Sequence, residues 1–209
     1  MSEASEQPSS EEDLGKKLTQ AYIEFDRALQ AESDRGCALY AAAYIDVELM
    51  ELLSASLVQH KDITQDLFKG TQQLSTFSSR ISMAYYLGLI SPEFRADLDI
   101  LRRIRNDFAH SNQAVTFSTE AVANRCSRLA TSFREQDASP RAKFTAAAST
   151  ILAVIARLRV NAKPIPEKPR EFFTGDQRAA HLDKVRAHAE KIAAAAGIDL
   201  SALEAKQSK

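Results

Sequence analysis

The residues best suited to chemistry lie in one short run, Arg105-Asn106-Asp107-Phe108-Ala109-His110, with Arg102 and Arg103 just before it. A histidine can act as general acid or base near neutral pH, an arginine clamps an anionic oxygen, and an asparagine orients what lies between them. On a helix Arg102, Asn106 and His110 fall at i, i+4 and i+8 and share a face, with Arg103 and Asp107 beside it. That spacing predicts a polar, outward-facing stripe. Arg105 falls at the edge of a different stripe, the apolar one formed by Phe94, Leu98, Leu101, Ile104 and Phe108, so it is expected to be partly buried. A partly buried guanidinium needs its donors satisfied, and Asp34, Asp46 and Glu48 are the candidate carboxylates from a neighbouring helix. Arg105 and His110 lie roughly 140° apart on an ideal helix, so one helix does not aim both at one phosphate without a frayed end. The competing reading is structural: His110 and Asn106 cap the end of their helix, and Arg105 locks two helices through an ion pair.

Hydrophobic periodicity supplies the elements that must position this run. Leu18, Tyr22, Phe25 and Leu29 predict a first helix. Ser33-Asp34 opens a second, running to about Gln59, with Cys37, Ala41, Ile45, Leu49, Leu52, Leu53 and Leu57 on its apolar face and Tyr40 and Tyr44 interleaved. A short helical turn is expected over 64–69. Ser75 or Thr76 caps a third helix that Gly88 ends, and Ser91-Pro92-Glu93 starts the helix carrying the motif. Ser118-Thr119-Glu120 opens a helix through Val122 and Leu129, and Pro140 opens an alanine-rich helix to about Val160. Period-2 alternation and hairpin dipeptides are lacking, so the expected class is all-α, a multi-helical bundle. The expected organisation is a disordered Ser/Glu-rich tail over 1–12, the bundle over 13–160, a proline-rich linker over 161–174, and a C-terminal helix and tail over 175–209.

Composition narrows the function classes. With 27 Lys+Arg against 28 Asp+Glu the formal net charge is -1, so any attraction to nucleic acid must be local. The two cysteines, Cys37 and Cys126, lack metal-binding or redox spacing and read as buried reduced thiols. His181 and His188 lie two turns apart without a third ligand, so neither a metal nor another cofactor is expected. The start of the sequence resembles no signal peptide and no apolar run reaches membrane-spanning length, which makes the cytoplasm the expected compartment. Ala84, Gly88 and Phe94 have helix-turn-helix-like spacing. The would-be recognition helix, however, presents Glu93, Asp97 and Asp99 to the groove, which argues against sequence-specific DNA binding by that motif.

Four blocks in order, Glu32-Ser33-Asp34-Arg35-Gly36, Leu74-Ser75-Thr76-Phe77-Ser78-Ser79-Arg80-Ile81, Tyr86-Leu87-Gly88-Leu89-Ile90-Ser91 and Arg102 to His110, resemble the mannitol operon repressor family. The resemblance covers residues 30 to 160 and implies a multi-helical fold without an ordinary DNA-binding domain. It covers Asp34, Arg35, Arg80, Arg102 and Asp107, which with the candidate carboxylates Asp46 and Glu48 make up the motif residues of expected functional or structural weight. Arg105 to His110 also matches the Arg-x4-His form of the HEPN superfamily, which includes metal-independent ribonucleases and inactive relatives. Two functions follow: a regulator of transcription acting through a protein partner, or a ribonuclease. In the second, His110 serves the ribose 2′-hydroxyl, Arg105 or Arg102 clamps the phosphate, and Asn106 orients. A homodimer is expected, since it brings two stripes together.

Overall fold

In a computed structural model of the chain, the residues described are 11–60, 66–112, 114–133, 137–168 and 175–197. The expected disordered tail falls mostly outside them, as do part of the expected turn over 64–69 and residues 169–174 of the proline segment.

Seven helices form among the described residues, and no strand does: α1 (Glu11–Ala31), α2 (Asp34–Ser56), α3 (Phe77–Tyr86), α4 (Pro92–His110), α5 (Glu120–Cys126), α6 (Pro140–Val160) and α7 (Asp176–Ala195). The all-α class read from periodicity holds. Local start signals explain most boundaries. The hydroxyls of Ser33, Ser91 and Ser139 accept from the N–H groups of Gly36, Phe94 and Ala142, and Thr76 exchanges bonds with Ser79 in a capping box. Pro92 and Pro140 occupy first-turn positions, where the missing N–H costs nothing. Gly88, at φ 70°, takes the left-handed turn that ends α3.

Two helices are shorter than periodicity predicts. α2 stops at Ser56 because Leu57 turns extended, and Gln59 Nε2 then donates to the carbonyls of Ser54 and Leu57 near the helix end. α5 stops at Cys126, after which Arg128 and Leu129 N–H bond to the carbonyls of Arg125 and Cys126 in tight three-residue steps.

α2 is the central element and packs against α1, α3, α4 and α6. Ala38, Ala42 and Ser56 are buried along with the predicted apolar face, so the helix is enclosed over a wider arc than one stripe. The rings of Phe108, Phe117 and Phe144 pack in sequence at tilted angles, with centroids 5.1 and 5.0 Å apart, and join the end of α4 to the following loop and to α6. Cys37 and Cys126 are free and fully buried, as expected, and burial pushes their thiols up to about 11 and about 12.

Contacts divide the chain into two compact units, residues 1–166 and 167–209. In the first, Ile165 N–H donates to the Ser56 carbonyl and fastens the start of the proline segment to the end of α2. In the second, α7 carries Leu182, Val185 and Ile192 largely exposed, with Arg186 and Glu190 paired one turn apart. No described helix is long and apolar enough to cross a membrane.

Candidate functional site

The motif run occupies the C-terminal half of α4. Phe94, Leu98, Leu101, Ile104 and Phe108 are buried as the wheel predicts, which fixes the helix rotation and hence where every polar neighbour points. His110 lies exposed in the last turn and makes no hydrogen bond or ion pair among the described residues. Arg102 bonds back to Asp99 through Nε and Nη2, at 3.2 and 3.1 Å. Asp107 accepts from Arg125 of α5. Asn106 is half-buried, and its Oδ1 accepts from Arg105 Nη1 at 3.1 Å.

Arg105 is half-buried, as expected, but the expected interhelical ion pair is absent among the described residues. Each candidate carboxylate belongs to another arginine: Asp34 to Arg141, Asp46 to Arg80, and Glu48 to Arg159. The reason is reach. Burial raises the Asp46 pKa and the Arg105 charge acts against that only through space, while Arg80 makes the contact at 2.7 Å. The capping role considered for Asn106 and His110 is not taken either. Arg35, from the first turn of α2, donates Nε to the Phe108 carbonyl at 2.9 Å and Nη2 to the Ser111 carbonyl at 3.0 Å, and so closes the end of α4.

The first resemblance block is therefore a junction. Asp34 accepts from Phe117 N–H on one oxygen and from Arg141 on the other, and Arg141 also donates to the Leu29 and Glu32 carbonyls at the end of α1. One aspartate and two arginines join α1, α2, α4, α6 and the loop after α4. The second block makes a similar staple. Arg80, 8% exposed, gives Nε to the Leu74 carbonyl and Nη1 to Asp46, with the Phe68 and Ser75 carbonyls at the limit of bonding distance. Burial raises the Asp46 pKa, and the Arg80 charge and hydrogen bond pull against that.

Asp97 corrects the expectation that it faces outward. It is 1% exposed and accepts from Ala130 N–H, Thr131 N–H and the Thr131 hydroxyl. Its position three after Phe94 and four before Leu101 already places it within the apolar stripe, a signal the helix-turn-helix comparison overrode. Asp99, the third carboxylate of that helix, is spent on Arg102. Arg141 went unnoticed too, although a cation in the first turn of a helix opposes the macrodipole and so marks a side chain with business elsewhere.

The structure thus brings Asp34 and Arg35 to the end of the motif helix, joins Asp46 to Arg80 and ties Arg105 to Asn106, while His110 makes no bond to either among the described residues. Hollows lie in the bundle among the described residues. One, of about 490 Å³, runs between α1, α2 and α6 past Tyr22, Tyr44, Leu152 and Ala156. Another, of about 220 Å³, lies between α4 and α5. Tyr22, Ile23, Tyr40 and Val47 also leave apolar surface exposed on α1 and α2.

No family model matches this sequence, and no curated protein is similar to it. Among solved structures, a chain of the X-ray structure of the MtlR-HPr complex from Escherichia coli superposes with a TM-score of 0.55 and 15% identity, over 65% of this chain and 98% of that one. At that identity the likeness is one of fold: a multi-helical bundle of the kind found in that complex.

Proposed function

We propose that this chain is a regulatory interaction protein of the mannitol operon repressor type, acting on transcription by holding a protein partner and not through a helix-turn-helix. The observation that carries this reading is the use of the motif side chains. Asp34, Arg35, Asp46 and Arg80 are consumed by bonds between elements, which suits a scaffold that presents a surface. The likeness to a chain of the MtlR-HPr complex supports a partner of the HPr kind. The function belongs in this reading to the bundle over 13–160, with 161–174 as linker and 175–209 as an appended helix and tail. A cytoplasmic setting and a homodimer belong to it too, the dimer motivated by the tyrosine-bearing face of α2, where Tyr40 and Val47 are exposed. The test is calorimetry and light scattering on the purified chain with and without the HPr protein of its own organism. A saturable complex is expected, and a chain that stays uncomplexed at tens of micromolar defeats the partner assignment.

A second reading, the HEPN-type ribonuclease, is favoured by one observation: His110 is exposed and uncommitted beside Arg102 and Arg103. Under it, His110→Ala abolishes cleavage of a cellular RNA pool with the fold intact, and cleavage survives EDTA. RNA left whole by the unmodified chain retires this reading.

A further inference from the structure

The hollow between α4 and α5 is walled by Ala96, Asp99, Ile100 and Arg103 on one side and by Arg125 and Arg128 on the other. Three guanidiniums meet around about 220 Å³ in a chain whose net charge is -1. Such a gathering of like charge is unfavourable without a counter-charge, and the nearby carboxylates answer it only in part, leaving Arg103 and Arg128 without one among the described residues. Asp99 is bound by Arg102, and Asp107 by Arg125. Arg125 uses only Nη1 for Asp107 and the Ala121 carbonyl, so the Nε and Nη2 donors of its fork remain, and Asp107 holds the group in place. Arg103 and Arg128 are exposed, and neither side chain has a partner among the described residues. The carbonyls at the end of α5, which would repel an anion, are occupied: those of Ala123 and Arg125 accept from Ser127 N–H, and that of Asn124 from the Ser127 hydroxyl.

We propose that this pocket binds a small organic phosphate ester, with Arg103, Arg125 and Arg128 on the phosphate oxygens and Ile100 and Ala96 against the carbon skeleton. Planar guanidinium forks match oxyanions two oxygens at a time, and three forks are better served by the three terminal oxygens of a phosphate than by the two of a carboxylate or by a halide. The volume falls below the roughly 300–1,000 Å³ of drug-sized sites, so the occupant is small. A nucleic-acid strand needs a track of cations. Here Asp99 and Asp107 flank the three arginines and interrupt any such track. The site is distinct from the partner reading and stands or falls apart from it.

The test is titration of the full chain with inorganic phosphate, with glycerol 3-phosphate and with a single-stranded RNA oligonucleotide, followed by calorimetry and by NMR of backbone amide and arginine Nε signals. Saturable binding of the ester is expected, tighter than that of inorganic phosphate, with shifts centred on Arg103, Arg125 and Arg128. Arg103→Ala and Arg128→Ala alter exposed side chains, and each is expected to weaken the ester about tenfold, the loss of one charge-assisted contact. Three results overturn the proposal: no saturable binding at millimolar ester, shifts confined to other parts of the chain or affinity unmoved in both variants, or RNA that binds through these arginines more tightly than the ester.

Discussion

Arginine is put to contrasting uses at the start of α2 and on the outer side of α4. At the α2 junction, Arg35 and Arg141 each donate to backbone carbonyls of another element, and Arg80, on α3, donates to the Leu74 carbonyl from a buried position. On the outer side of α4, Arg103 and Arg128 point into a solvent-open hollow without internal partners. The difference shows that side-chain type alone does not mark a site in this fold. A guanidinium has five donors, and when helix ends offer orphan carbonyls the donors go there first. Only the donors left over from such carbonyls, or beyond their reach, stay open for a ligand.

Substitutions sharpen this contrast, beginning with the deepest. Leu101→Ala removes a fully buried side chain from the face that orients α4 and is expected to cost on the order of 2–5 kcal/mol in urea unfolding. Arg80→Ala is expected to cost about 3 kcal/mol, the low end for breaking a buried pair because the Asp46 side chain keeps 23% of its surface in water. If Arg80→Ala proves neutral while Arg103→Ala destabilises the fold, the division into structural and open arginines is wrong.

The cysteines provide a pH arm. A thiol whose pKa is raised by folding lends stability that is full below the unfolded value near 9.0 and lost as pH rises toward about 11 for Cys37 and about 12 for Cys126. Native protein at pH 8 is therefore expected to resist a thiol reagent that labels both cysteines at once in urea, and rapid native labelling would show that the bundle opens around α2. Arg35→Ala is expected to be milder, about 1 kcal/mol, since its two carbonyl bonds lie at an exposed helix end. The smallest effect is expected from His110→Ala, which removes no bond and should leave the unfolding midpoint unchanged.

How far the sequence announces this arrangement depends on the kind of information involved. Helix starts are local, set by Ser33, Thr76, Ser91 and Ser139 within three residues of themselves, and periodicity finds them. The buried face of α4 follows from spacing alone. Which carboxylate meets which arginine depends on the crossing of helices distant in sequence, and there the expectation for Arg105 failed: Asp34, Asp46 and Glu48 were the right kind of partner for the wrong guanidinium. Spacing along one helix leaves open how that helix sits against another, and the pairing depends on that. The hollow at Arg103, Arg125 and Arg128 was illegible for the same reason, since Arg125 and Arg128 come to α4 only through the placement of α5.

The bonds from Asp97 have a consequence for motion. Ala130 and Thr131 belong to no helix, and amides in irregular segments ordinarily exchange their hydrogens with water quickly. Here both N–H groups are held by a carboxylate buried inside α4, so their exchange must wait for that helix to open. A stretch without regular structure thereby becomes a strut, and Arg128, two residues before it, inherits the rigidity of α4 although no helix of its own carries it.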